Sequence, residues 1–408
     1  MRTFLGLTLC LLLLLNVSCT LSELNSANIP LSLSAPPGNL IDSASGAKLS
    51  GVYNVVQGNG TFGDTVVALW VKGELCLYAG PQAIFVQTAG SLTGDTARFD
   101  GYYLFVRSAQ SGSVNLQILP TDGGSTLGGH SLDTQVTIRG SYNANPFLIE
   151  RERPLHSTPK GFYILGNNAG GRNSDRLGRS ENSIEMGRFC QYLGCNGVEI
   201  DLHETSDDSV ILIHDDSFGP RTVQTTYIIG NVWDFTFKQI RDNARLINGE
   251  VIPTLYEFLT WAIDSSDLDL VWLDPKVTTD VEKMLEEQQA ALAHARSIGR
   301  TNFRIVFGIP STDMLTAYRN SRLADSTDVL CELTPDDVRS LPSCKVWAPR
   351  WTLGLQASNV TSLHSQGYQV FPWTIDSPDY MTQFLNDAPY DGILSDLPSI
   401  LTGLYYQR

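Results

Sequence analysis

The chain has 408 residues, more than one hydrophobic core usually supports, so two domains are expected. Hydrophobic residues make up 42% of it, which excludes a disordered chain and a multispan membrane protein. With 28 basic and 43 acidic residues the net charge is -15, and no basic cluster offsets it, so nucleic acid is excluded as a partner.

The first segment reads as an export signal over residues 1–18. Arg2 supplies a positive charge, and Phe4 to Val17 form an apolar run too short to span a bilayer. Ser18-Cys19 follow it, a small residue before a cysteine, as at a bacterial lipoprotein cleavage site; Asn16 stands where such sites usually carry leucine. The expectation is an exported chain, either secreted or periplasmic, or a cell-envelope lipoprotein attached to the membrane through a lipidated Cys19. Five cysteines lie beyond it: Cys76, Cys190, Cys195, Cys331 and Cys344. An odd number argues against a full disulfide framework, and only Cys331 with Cys344 is a candidate pair. Neither their spacing nor the six histidines suggests a zinc site.

Residues 19–46 are rich in Ser, Pro, Asn and Ala and read as a tether. Over 47–150 short β-like runs such as Thr65 to Val71 and Tyr102 to Val106 are broken by turns such as Gly58-Asn59-Gly60, which predicts a small all-β accessory domain, a sandwich or a barrel. No catalytic cluster is visible in it. Near Pro154 the pattern changes. Strand-like runs at 161–166, 197–203, 209–214, 269–275, 303–308, 327–332, 368–374 and 391–396 alternate with amphipathic segments, the clearest from Asp280 to Ile298. Eight such runs over residues 155–408 predict an α/β fold, a (β/α)8 TIM barrel. The run Lys345 to Ala348 is a ninth candidate, placed within a βα loop. A doubly wound sheet is the alternative, but no glycine-rich nucleotide fingerprint follows the first strand.

In such a barrel chemistry sits at the C-terminal strand ends. Alternation along the second strand puts Glu199, Asp201 and His203 on one face. Three ionisable groups facing an interior are costly unless they bind something. The third strand ends in His214-Asp215 and the fourth in Asp274-Pro275-Lys276. One carboxylate at a strand end is usually a cap or turn residue; agreement across successive strands is not explained that way. Hard oxygen ligands from Glu199, Asp201 and Asp274 imply one divalent cation, Mg²⁺ or Ca²⁺. Lys276 adds a second positive contact for a phosphate, and His214 is suited to move protons near neutral pH.

These residues also carry a family resemblance. Glu181-Asn182-Ser183, Glu199-Ile200-Asp201, His214-Asp215, Pro253-Thr254-Leu255, Asp274-Pro275-Lys276, Trp373-Thr374 and Asp391-Gly392-Ile393-Leu394-Ser395-Asp396 follow in the order and spacing of glycerophosphodiester phosphodiesterases, over about 240 residues. The resemblance implies a (β/α)8 barrel, Glu199, Asp201 and Asp274 as metal ligands, His214 as one of two acid/base groups, and Lys276 facing the phosphate. Asp274 stands where many relatives have glutamate. Trp373 is a candidate for lining the substrate pocket.

At the first strand the family's Gly-His-Arg-Gly reads Gly166-Asn167-Asn168-Ala169, so the resemblance puts Asn167, or with a one-residue shift Asn168, in the place of the first catalytic histidine. An amide takes up no proton near pH 7. His203 is the candidate substitute, with a solvated rim position as the bland reading; His130, His156, His294 and His364 are expected on the surface. The leading expectation is a metal-dependent phosphoric diester hydrolase acting on small glycerophosphodiesters or related lipid headgroups. The alternatives are an inactive relative that binds a phosphodiester or an envelope glycan, and a lyase forming a cyclic phosphate.

Overall fold

The computed structural model describes residues 27–119, 136–155, 161–224 and 227–408. The expected signal segment, Cys19, His130 and His156 lie outside these residues.

The first domain is an antiparallel barrel. A short edge strand, β1 (Asn39–Leu40), pairs with the fifth strand. Then come β2 (Gly51–Gln57), β3 (Thr65–Val71), β4 (Glu74–Ala79), β5 (Ile84–Thr93), β6 (Thr96–Phe105), β7 (Gln110–Ile118), β8 (Thr137–Tyr142) and β9 (Asn145–Pro154). Pairing of β2 with β9 and of β5 with β6 closes eight strands, so of the two expected architectures the barrel forms. Its interior is filled by Tyr53, Val66, Leu75, Leu77, Val86, Phe99, Leu116 and Ile149, as is usual for an eight-stranded barrel.

Strand β4 is buried on both faces: Leu75 and Leu77 point inward, while Cys76 and Tyr78 join the core of the second domain. The barrels dock there. Phe85 meets Phe189 edge-on with ring centroids 6.0 Å apart, and the Tyr78 hydroxyl donates to the Tyr192 carbonyl. Gly80 and Gly403 are in backbone contact; a Cβ on Gly403 would lie 2.7 Å from the Gly80 nitrogen. The described part of the segment expected as a tether packs as well. Ala27 N–H donates to the Arg176 carbonyl (2.7 Å), Arg179 to the Pro30 carbonyl (2.9 Å), and Asp42 caps the helix Ser43–Ala47.

The second domain is the expected α/β barrel. Its strands are β10 (Tyr163–Gly166), β11 (Gly197–Glu204), β12 (Val210–Leu212), β13 (Leu270–Pro275), β14 (Arg304–Ile309), β15 (Val329–Cys331), β16 (Cys344–Trp347), β17 (Gln369–Val370) and β18 (Gly392–Ser395). All but β12 form one parallel path, β17-β16-β15-β14-β13-β11-β10-β18. Backbone bonds from Asp391 N–H to Val370 O and from Leu394 N–H to Pro372 O, both 3.1 Å, close it. Leu165, Leu270, Trp272, Val306, Leu330, Val346, Phe371 and Leu394 pack together from six of these staves and the turn after β17. The helix Val281–Ser297 forms where expected; Leu255–Ser265 starts at a capping box of Thr254 and Glu257.

Two staves differ from the sequence expectation. The run 209–214 is no stave: β12 turns back antiparallel on β11, pairing Leu202 with Leu212 and His203 with Ile211. Only five residues separate β11 from β12, and a parallel crossover needs a dozen or more. The run placed in a loop, Lys345 to Ala348, instead forms the sixth stave, Cys344–Trp347. Twelve residues, among them the helix Pro335–Arg339, separate it from β15, room enough for a crossover. Cys331 and Cys344 are both free, correcting the candidate disulfide: Cys331 lies opposite Trp347, and Cys344 opposite Val329.

Candidate active site

Alternation along β11 sends Val198, Ile200 and Leu202 to the helical layer and Glu199, Asp201 and His203 to the other face. Its neighbour β13 is in register, Asp201 opposite Asp274. Glu199, Asp201 and Asp274 each bring a carboxylate oxygen within 4.8 Å of the others, as expected from the sequence. Glu199 Oε1 and Asp274 Oδ1 are buried and, among the described residues, have no hydrogen-bond partner. Lys276 Nζ lies 2.6 Å from Asp201 Oδ1 and also contacts Asp274 Oδ2.

Three carboxylates against one ammonium leave a buried negative site. Burial, then Asp201 and Asp274, push the Glu199 carboxyl well above the usual carboxylate range. Burial raises Asp274 too, with Lys276 opposing. Burial works to lower the Lys276 ammonium, but Asp201 and Asp274 outweigh it and hold the group above its ordinary value. A bound cation would remove this imbalance.

The loop after β10 frames the trio. Asn168 and Ala169 take positive φ, 51° and 69°, a conformation asparagine tolerates better than most residues. The turn lets Asn168 N–H donate to Glu199 Oε2 at 2.8 Å. Asn182 Nδ2 donates to Asp201 Oδ2 (2.5 Å), and Asp201 N–H donates back to Asn182 Oδ1 (2.9 Å). Sequence reading singled out Glu181-Asn182-Ser183 without assigning these contacts.

Asn167 does not reach the trio through any such bond. Its Nδ2 donates to Asp396 Oδ1 at 2.9 Å, and Arg172 Nη1 lies 2.9 Å from Asp396 Oδ2. Burial, then Asp376, push the Asp396 carboxyl up to about 8 against the pull of Arg172 and Asn167.

His214 is exposed on the loop leaving β12, and its Nδ1–H donates to Asp215 Oδ1 at 3.0 Å. The residue before it, Ile213, donates its N–H to the Asp201 carbonyl at 3.3 Å, which brings His214 near the trio. His203 is not a solvated rim residue. It is fully buried under the β12 hairpin, with Nε2 3.3 Å from the His214 carbonyl and its ring 6.5 Å from that of Trp233. Burial lowers its pKa, so the neutral ring donates through Nε2. His294 and His364 lie outside the site, on Asp264 (2.6 Å) and Asp391 (2.8 Å) respectively; His294 is exposed and His364 half-buried.

Glu332 and Arg350 were missed in the sequence. Glu332 follows β15 directly; burial, then Asp274, push its carboxyl well up, while Lys276 and Arg350 pull it down. Arg350, three residues past β16, lies over the Trp373 ring at 4.7 Å. Trp373 is half-buried and its Nε1 donates to the Ala348 carbonyl (2.8 Å). The available signal was position: each follows a stave at its C-terminal end.

Residues 168–400, more than half of the chain, match the model of the glycerophosphoryl diester phosphodiesterase family. The chain is similar to a glycerophosphodiester phosphodiesterase of Caldanaerobacter subterraneus, 27% identical over 245 residues, covering 55% of this chain and 91% of that one. It is also similar to the probable glycerophosphodiester phosphodiesterase 2 of Mycobacterium tuberculosis, 28% identical over 238 residues, with coverage of 55% and 85%. A solved glycerophosphodiester phosphodiesterase structure from Parabacteroides distasonis overlays at a TM-score of 0.46 and 20% identity, covering 59% of this chain and 97% of that one.

Proposed function

The chain belongs to the glycerophosphoryl diester phosphodiesterase family, and we propose that it is a metal-dependent hydrolase of small glycerophosphodiesters or related lipid headgroup phosphodiesters. One observation carries this reading: a buried carboxylate trio with orphaned oxygens, beside Lys276 and His214 at the C-terminal mouth of the barrel.

The residues fit a divalent cation. Glu199, Asp201 and Asp274 would hold it, and an all-oxygen donor set suits Mg²⁺ or Ca²⁺ rather than zinc. When bound, the cation would neutralise phosphate oxygens and lower the barrier to attack on phosphorus. Lys276 brings positive charge to the same place and orients the phosphate. His214, with Nδ1–H committed to Asp215, keeps Nε2 for proton transfer to or from the reacting oxygens. His203 holds the His214 backbone through its carbonyl rather than moving protons itself. Arg350 and Trp373 line the side where a headgroup would lie.

In this proposal Asn167 stands in the place of the family's first histidine. Its Nδ2 is engaged by Asp396, so its amide oxygen is left to accept a hydrogen bond from an incoming water. Turnover then proceeds with one proton-transfer histidine and is slowed by about 10²–10⁴-fold. The same substitution favours a second reading, a family member kept for phosphodiester binding. Export, and membrane attachment through a lipidated Cys19, rest on Arg2, the run Phe4 to Val17 and Ser18-Cys19.

Phosphorus NMR of glycerophosphocholine incubated with the chain and Mg²⁺ or Ca²⁺ separates these readings. A glycerol phosphate product supports hydrolysis, a cyclic phosphate supports the lyase alternative, and unchanged substrate with metal-dependent binding supports the second reading.

A further inference from the structure

We infer that Arg221 is a positioning residue for proton transfer by His214, acting through Asp215; the inference rests on the role proposed above for His214. The guanidinium grips Asp215 with two prongs, Nε to Oδ2 at 2.8 Å and Nη2 to Oδ1 at 2.6 Å. The same Oδ1 accepts the His214 Nδ1–H at 3.0 Å. On its other side Arg221 Nη1 lies 2.8 Å from Glu181 Oε1, a carboxylate only 1% exposed. Asn173 fixes Glu181 in turn: its N–H donates to Glu181 Oε2 (2.9 Å) and its Oδ1 accepts the Glu181 N–H (3.0 Å). Asn173 Nδ2 also donates to the Arg221 carbonyl at 2.8 Å.

A continuous chain of contacts therefore runs from the loop after β10, through Arg221 and Asp215, to the His214 ring. The residue after Glu181 is Asn182, which holds Asp201, so one loop sets both the carboxylate trio and the histidine. All three Arg221 nitrogens are engaged by carboxylates, which argues against a direct phosphate contact. Two parallel bonds to one carboxylate fix its plane as well as its place, and lysine reproduces the charge but not that geometry. With Asp215 fixed, His214 is held with its proton on Nδ1 and Nε2 ready for exchange. The charged groups linked to His214 include Asp215 and Arg221 from its own segment and, through Arg221, Glu181 from the loop after β10, while Asp274 from β13 interacts with it electrostatically.

The test measures steady-state kinetics on glycerophosphocholine together with nitrogen-15 NMR of the His214 ring, in the full chain and in Arg221→Ala, Arg221→Lys and Asp215→Asn. Circular dichroism confirms that each variant folds. Arg221→Ala is expected to lower kcat about tenfold to a hundredfold with KM little changed, and to turn a single Nδ1–H form of His214 into a mixture. Arg221→Lys should fall between it and the parent. In an Asp215→Asn background Arg221→Ala should add little further loss, because both changes act on one contact. A raised KM with kcat unchanged would overturn the inference and make Arg221 a substrate-binding group. So would an unchanged His214 tautomer, or losses that multiply in the double variant. If the parent chain shows no turnover while the His214 tautomer still responds to Arg221→Ala, the hydrolase reading fails and the positioning stands.

Discussion

In the proposed hydrolase reading His214 moves protons, and Asn167 stands where a second histidine would be. Among the described residues His214 is the histidine near the trio whose ring is exposed, so His214→Ala is expected to lower kcat by about 10²–10⁴-fold. Asn167→His, placed against Asp396, should raise kcat toward the same range and add a second limb to the pH–rate profile. Steady-state kinetics across pH 5 to 9 reads both. Glu199, Asp201, Asp274 and Lys276 were legible in the sequence because period-two alternation and stave ends locate them without any tertiary knowledge, whereas His214 was singled out at the end of a run that forms a hairpin arm. His203 was legible as a face but not as a depth: what buries it is the β12 hairpin and Trp233, and no local pattern announces that cover. Arg350 escaped because the run before it was placed in a loop, whereas Glu332 ended an expected stave and its burial toward Asp274 has no local signal.

At the scale of elements, eight staves were expected and eight formed, yet one was counted wrongly and one was left out. Apolar runs of three or four residues carry too little pattern to separate a stave from a hairpin arm. The length of the connecting segment does separate them: five residues before β12 allow only an antiparallel return, and twelve before β16 allow a crossover. The helix Val281–Ser297 was readable because its apolar stripe is long. That helix carries a titration the pattern did not show. Burial raises Glu287 to about 6, with Lys283 opposing, and its Oε2 has no hydrogen-bond partner among the described residues. The folded chain keeps this proton to higher pH than the unfolded chain does, so stability falls as pH rises from about 4.5 to about 6 and is level above. Glu287→Gln removes that loss, so above pH 6 it should be more stable than the parent by about 1–2 kcal/mol. Urea melts at pH 4 and pH 7 check this; an equal difference at both would contradict it.

Across the whole molecule one hydrophobic cluster joins the two barrels, while each interior packs by itself. The division near Pro154 was visible as a change of periodicity, since β9 ends there and alternating strands and helices follow. The docking was not visible: β4 is apolar on both faces, and such a run reads equally as a strand buried within one sheet system. The contact between Gly80 and Gly403 leaves no room for a side chain. Gly403→Val should therefore destabilise the chain by about 1–3 kcal/mol, as overpacking does, and calorimetry should show a lowered Tm. An unchanged Tm would mean the barrels separate easily.

The central claim is that the carboxylate trio makes this family member a metal-dependent phosphodiesterase. The most direct test is hydrolysis of glycerophosphocholine by the full chain and by Asp274→Asn, each with chelator, Mg²⁺ or Ca²⁺. Turnover is expected in the parent, abolished by chelator and restored by one of the two cations, with little or none in Asp274→Asn with either. Turnover indifferent to chelator, or equal in Asp274→Asn, would contradict it.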